Sequence, residues 1–131
     1  MPRVAVIDDD VSVRNAFGLI LTSAGFEAMV FDSVESFMES RVSADWDCIV
    51  TDLRMPSATG FDLLERLHAQ GSFPPVIVVT AFADAAHRKR ARRLGVKAFF
   101  SKPIDDQALV DAIHWAIEDD ARLHRYHQKL I

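Results

Sequence analysis

The sequence predicts a three-layer α/β domain built on a parallel sheet. Two observations predict it: five short apolar runs that do not alternate with polar residues, and helical apolar patterns between and after them. Runs of this length, rich in β-branched residues, fit strands covered on both faces. Strand and helix alternating in this way pack as a sheet between two helix layers, with right-handed crossovers.

The first run, Val4-Ala5-Val6-Ile7, stops at Asp8, Asp9 and Asp10, the last placed to cap a helix. In that helix Val13, Phe17, Ile20, Leu21 and Ala24 share one stripe, and Gly25 stops it. Ala28 to Phe31 is the second strand, and Ser33 caps a helix through Met38, with Ser36 where a capping box prefers Glu. Cys48 to Thr51 is the third strand. The next helix, Gly60 to Gln70, carries Leu63, Leu64 and Leu67 and ends at Gly71. Val76 to Thr80 is the fourth strand, followed by a basic, weakly apolar helix from Asp84 to Leu94 that Gly95 ends. Ala98 to Phe100 is the fifth. Beyond Asp105, a candidate N-cap, Ala108, Leu109, Ala112, Ile113, Ala116 and Ile117 form a regular stripe. From Asp119 to Ile131 the chain is polar, with Leu123, Tyr126 and Leu130 apolar; it is a helical extension or the start of a linker.

With 131 residues, half of them hydrophobic and 26% charged, the chain is sized for one domain and not two. A lone Cys48 excludes an intrachain disulfide and a cysteine-based zinc cage. The longest apolar runs are four or five residues, too short to span a membrane, and no secretory signal precedes the first strand. The cytoplasm is the expected compartment. Net charge is −4, but residues 1–62 balance at −7 and residues 63–131 at +3. The split suggests a cation site in the first half and an anion or partner site in the second.

Ligands of such sheets sit beyond the carboxyl ends of the strands, where strand order reverses. The residues there are Asp8, Asp9 and Asp10 after the first strand, Asp52 after the third, Thr80 ending the fourth and Lys102 after the fifth. Gathered carboxylates repel one another unless a positive charge compensates. An oxygen-only ligand set suits Mg²⁺, Lys102 supplies a point charge for phosphate-like oxygens, and Thr80 offers them a hydroxyl. Asp52 is placed to be the nucleophile that forms an acyl phosphate. A single Asp cap, strand-end Thr or Lys before Pro is commonplace. Their fall on one sheet edge in this order is not.

Ile7-Asp8-Asp9, Thr51-Asp52-Leu53-Arg54-Met55-Pro56 with Gly60, Val79-Thr80-Ala81 and Lys102-Pro103 resemble the receiver domain of bacterial two-component response regulators. The resemblance covers residues 3 to 120, and the run Thr51 to Pro56 is most similar to the FixJ-like type. It implies a flavodoxin-like five-stranded sheet of order 2-1-3-4-5, with residues 1–120 as receiver and 121–131 as extension or linker. It also implies that Asp52 accepts a phosphoryl group from a phosphohistidine on a sensor kinase. Asp9, Asp52 and the Arg54 backbone carbonyl would ligate Mg²⁺ (or Mn²⁺), Asp8 acting through a metal-bound water. Thr80 and Lys102 would bind the phosphoryl oxygens, and Thr80 with Phe99 would form a switch, Phe100 being the core aromatic of that strand. Lys102-Pro103 is expected to be cis. Bulky Arg54 and Phe82, two residues after Asp52 and Thr80, imply slow self-dephosphorylation, and small Ala81 leaves access to Asp52.

The basic run His87 to Arg93 reads either as a solvated face or as a partner surface. By resemblance the fourth helix, fifth strand and fifth helix form an output face that can pair two copies, Trp115 joining it or covering core. One short basic helix in an acidic domain offers too few phosphate contacts to bind nucleic acid alone. DNA would be reached through a further helix-turn-helix domain; a stand-alone regulator working by protein contacts is the alternative. A haloacid-dehalogenase-type phosphohydrolase is opposed by motif order, since Asp52 precedes Lys102. A flavin site is opposed by three aspartates where a phosphate loop should lie.

Overall fold

The computed structural model describes residues 1–40, 45–55, 58–71 and 73–130, with side chains to residue 125. Pro56 and Ile131 lie outside the described residues, as do the side chains of Tyr126 and Leu130. In chain order the elements are β1 (Arg3–Ile7), α1 (Val11–Ser23), β2 (Glu27–Phe31), α2 (Val34–Glu39) and β3 (Cys48–Thr51). There follow α3 (Gly60–Gln70), β4 (Val76–Thr80), α4 (Ala85–Arg93), β5 (Ala98–Ser101) and α5 (Asp106–Leu130). The strands pair in parallel in the order β2-β1-β3-β4-β5, as expected.

Each helix begins where a short polar side chain can accept from its first free amides. The Asp10 carboxylate accepts from the N–H groups of Ser12 and Val13, Ser33 Oγ from Ser36, Asp84 from His87 and Asp105 from Ala108. Thr59 and Asp62 close a full capping box on α3. At Ser36, where Glu was favoured, the hydroxyl instead donates to Asp32 Oδ1 at 2.9 Å. Gly25 and Gly95 end α1 and α4 with φ of 92° and 81°, a region that excludes most side chains.

Strand parity divides the core. Ala5, Ile7, Ile49, Val76 and Val78 face α2, α3 and α4, where Phe37, Leu63, Leu64 and Leu67 are buried. Val4, Val6, Val50, Ile77 and Val79 face Phe17 and Leu21 of α1 and Leu109, Ile113 and Ala116 of α5. Burial on both faces holds for the three inner strands but not for the two outer ones. Met29 and Val30 of β2 are 40% and 42% exposed, and Phe99 and Phe100 of β5 are each half-buried, on opposite faces. An edge strand lacks a neighbour on one side, so the helices above and below cover it only in part.

The polar end of the chain continues α5 as one helix, pinned where Lys97 Nζ, just before β5, donates to Asp119 at 2.7 Å. Trp115 is half exposed on that helix. α4 buries only Ala91; Arg88 lies over the Phe99 ring and Arg90 over the Phe61 ring, and His87 stacks on Phe61. Burial pushes the Cys48 thiol up to about 12, so it stays protonated inside the core. No described helix is long and apolar enough to cross a membrane.

Candidate functional site

Sheet register assembles the site. Ile7 pairs with Thr51, so Asp8 and Asp52, the next residues of β1 and β3, leave the sheet side by side. Thr51 pairs with Val78 and Thr80 with Ser101, which carries Thr80 and Lys102 to the same edge. The Lys102 amide donates to the Thr80 carbonyl at 2.8 Å, and the Lys102–Pro103 peptide is cis, as expected. Asp8, Asp9, Asp52, Arg54, Ala81, Phe82 and Lys102 line a cleft of about 540 Å³, with Thr80 buried behind Ala81.

One ammonium group holds the acids together. Lys102 Nζ donates to Asp8 Oδ2 and Asp52 Oδ2, both at 2.8 Å. Asp8 and Asp52 are buried, only 2% and 6% exposed. Burial raises the Asp8 pKa above the ordinary carboxylate range; the hydrogen bonds from Lys102 and the Asp10 amide offset this only in part. For Lys102, burial opposes the charge, but the bonds to Asp52 and Asp8 outweigh it and lift its pKa. The Asp52 carboxylate is further fixed through Oδ1, which accepts from the Leu53 amide at 2.6 Å and the Arg54 amide at 3.4 Å.

Asp8, Asp9 and Asp52 offer carboxylate oxygens within 4.8 Å of one another. Asp9 is exposed, and its carboxylate has no hydrogen-bond partner among the described residues. An all-oxygen set with one carboxylate free suits a hard divalent cation. Thr80 is fully buried; its hydroxyl accepts from the Phe82 amide at 3.1 Å and has no acceptor for its own proton among the described residues. Arg54 and Phe82 meet over the cleft, the guanidinium carbon 4.2 Å from the ring centre. Phe99 stands apart, its ring under Arg88 at 4.8 Å and packed against the α2–α4 side of the core.

Three contributors escaped the sequence reading. Arg14 Nη1 donates to the Asp8 carbonyl at 2.9 Å, and Thr51 Oγ1 donates to the Asp52 carbonyl at 2.8 Å, so both acids have their backbone held as well. Thr51 was signalled as the one hydroxyl in its apolar run, but which group it would reach depended on the turn after it. The third is Gly60, present in the motif without a stated reason. A Cβ there would lie 2.4 Å from the Asp52 carbonyl oxygen and 3.1 Å from Leu53 Cα, backbone that cannot yield cheaply. Gly60→Ala should therefore lower the urea-unfolding free energy by about 1–3 kcal/mol, with a parallel loss of any chemistry at Asp52. Wild-type stability in that variant would refute the contact.

The model of the response regulator receiver domain family matches residues 4–114. This chain belongs to that family. Among similar proteins, the FixJ transcriptional regulators of Azorhizobium caulinodans and Bradyrhizobium diazoefficiens are 38% and 36% identical to the receiver, over 93% and 88% of its length. The chain spans 58% and 56% of those two proteins. Among solved structures, the response regulator StyR overlays with a TM-score of 0.87 and 37% identity, covering 98% of this chain and 65% of that one. FixJ-N overlays with a TM-score of 0.80 and 32% identity, over 90% of this chain and 94% of that one. The receiver is thus of the FixJ-like type, with the CheY-like fold.

Proposed function

We propose that this receiver accepts a phosphoryl group on Asp52 from a sensor histidine kinase and passes the event to an output domain, in transcriptional regulation. The observation that carries the proposal is Lys102 bridging Asp8 and Asp52 at 2.8 Å beside the free Asp9 carboxylate. Phosphoryl transfer asks a protein chiefly for positioning and charge neutralisation, and this cluster offers both. Asp52 is the nucleophile, and the amides of Leu53 and Arg54 orient it. Lys102 and the unspent Thr80 hydroxyl bind the phosphoryl oxygens. Asp9 and Asp52 would hold Mg²⁺ directly (Mn²⁺ substituting), with the Arg54 carbonyl as a third ligand and Asp8 through a water. When bound, the ion neutralises charge on the phosphoryl oxygens.

When Thr80 turns its hydroxyl to a phosphoryl oxygen, the Phe82 amide loses its acceptor, and the loop before α4 is freed to move. Phe99 turning inward behind it would carry that change to the α4–β5–α5 face, which also serves as the surface for pairing two copies. The site performs only self-directed transfer and hydrolysis, so the chain is a signalling domain, not a turnover enzyme. Residues 1–120 form the receiver, and the end of α5 leads toward the output domain. The longer FixJ relatives favour an output domain over a stand-alone regulator, and contact with DNA would belong to that domain. Its place of work is the cytoplasm.

Incubation with acetyl phosphate and Mg²⁺, followed by intact mass, tests the reading. One phosphoryl group is expected on the wild type and none on Asp52→Ala. A wild type that neither reacts nor binds Mg²⁺ overturns it.

A further inference from the structure

A single peptide plane, the one joining Asp52 to Leu53, carries two of the ties that hold Asp52. Its carbonyl and its N–H are fixed on opposite edges of one rigid unit. Thr51 Oγ1 donates to the carbonyl at 2.8 Å. Across the plane, the Leu53 N–H donates to Asp52 Oδ1 at 2.6 Å, short even for a bond to a carboxylate. Turning the plane therefore disturbs both contacts together. Thr51 is buried, 1% exposed, in surroundings of low dielectric where a hydrogen bond is strong. Gly60 packs against the same carbonyl, since a Cβ there would lie 2.4 Å from the oxygen. That contact limits the travel of the plane without orienting it, whereas a hydrogen bond is directional.

We propose that Thr51 is a positioning residue for phosphoryl uptake: its hydroxyl sets the peptide that aims the Asp52 carboxylate. This rests on the reading of Asp52 as acceptor. Lys102 holds Oδ2 at 2.8 Å and the Leu53 amide holds Oδ1, so the rotation of the carboxylate is defined at two points. In transfer from acetyl phosphate, an Asp52 oxygen bonds to phosphorus as the acyl P–O bond breaks, and acetate leaves with the electron pair. The rate of that step follows the alignment of the attacking oxygen, and small misplacements are costly. A hydroxyl that served only its own burial would have no part in that alignment.

Two readouts test the role. Valine matches the shape of threonine without its proton donor, and serine keeps the donor without the methyl. In the resting protein, with neither Mg²⁺ nor donor present, the Leu53 amide proton resonance reports its bond to Oδ1. Thr51→Val should move that resonance upfield, and Thr51→Ser should leave it near wild type. With acetyl phosphate and saturating Mg²⁺, followed by intact mass, Thr51→Val should slow uptake about tenfold and Thr51→Ser should stay within about twofold of wild type. Thermal melts establish that each variant is folded at the assay temperature. Thr51→Ala, which also lacks the hydroxyl, carries the same two readouts if the valine variant does not fold.

A Leu53 resonance unmoved by loss of the hydroxyl overturns the proposal alone. So does uptake by the hydroxyl-free variant within about twofold of a wild type that reacts. A serine variant as slow as the valine variant also overturns it, because packing would then carry the effect. A wild type that takes up no phosphoryl group overturns it together with the Asp52 reading.

Discussion

Lys102→Met should lower the rate of phosphoryl uptake by roughly 10²–10³, the cost of removing one preorganised charge donor from a transition state. Its ammonium contacts both buried acids at 2.8 Å, and among the described residues no other cation pairs with their carboxylates. Mg²⁺ affinity, read by calorimetry, should hold or rise, since the displaced group is itself a cation. That contrast separates a catalytic loss from a collapsed site. The variant should also change its dependence on pH. Without the ammonium, burial and mutual repulsion raise the native pKa of Asp8 further above its unfolded value. A carboxyl whose folded pKa is raised binds more protons folded than unfolded, so stability falls as pH rises through that range and returns on acidification. A urea midpoint with wild-type pH dependence, or an uptake rate near wild type, would remove Lys102 from this role.

Replacing the roof of the cleft should shorten the life of the phosphoryl group. Arg54 and Phe82 line the cleft that holds Asp52 and lie against each other, so together they should crowd the approach of water. The double variant Arg54→Ala, Phe82→Ala should hydrolyse its acyl phosphate faster, on the order of tenfold, the equivalent of about 1.4 kcal/mol of barrier. Each single change should give much of that gain, because one partner alone no longer stays over the cleft. The resulting non-additivity should be about 0.5–1 kcal/mol, the ordinary worth of an exposed cation–π contact. Decay of the purified phosphoprotein, timed by intact mass, measures both quantities. Equal lifetimes for wild type and double variant would rule the roof out as a barrier.

Much of the site was legible because a parallel sheet converts sequence position into place. Asp8, Asp52, Thr80 and Lys102 each stand at or just past the end of an apolar run, and matched register delivers such residues to one edge. Helix caps were equally legible, being local: Asp10, Ser33 and Asp105 act within three residues of themselves. What could not be read depended on distant neighbours. The exposure of Met29 and Val30 follows from β2 lying at the sheet edge, which strand order decides and the run itself does not. The stacking of Arg54 on Phe82 joins two loops 28 positions apart through side-chain rotamers. Arg14 reads as one more polar residue on α1 until the Asp8 carbonyl is seen beneath it.

The sparse burial of α4 has a consequence for how the domain responds to its medium. With Ala91 its single buried residue, this helix is moored by Arg88 on Phe99, Arg90 on Phe61 and Glu65, and His87 on Phe61. Added salt weakens exposed ion pairs such as Arg90–Glu65, the Debye length being about 8 Å at physiological ionic strength, whereas it leaves the apolar seams under α1, α3 and α5 intact. Rising ionic strength should therefore loosen α4 more than the helices seated on apolar seams. The receiver thus carries a thinly buried helix beside a densely buried sheet, the kind of element that opens at a lower free energy.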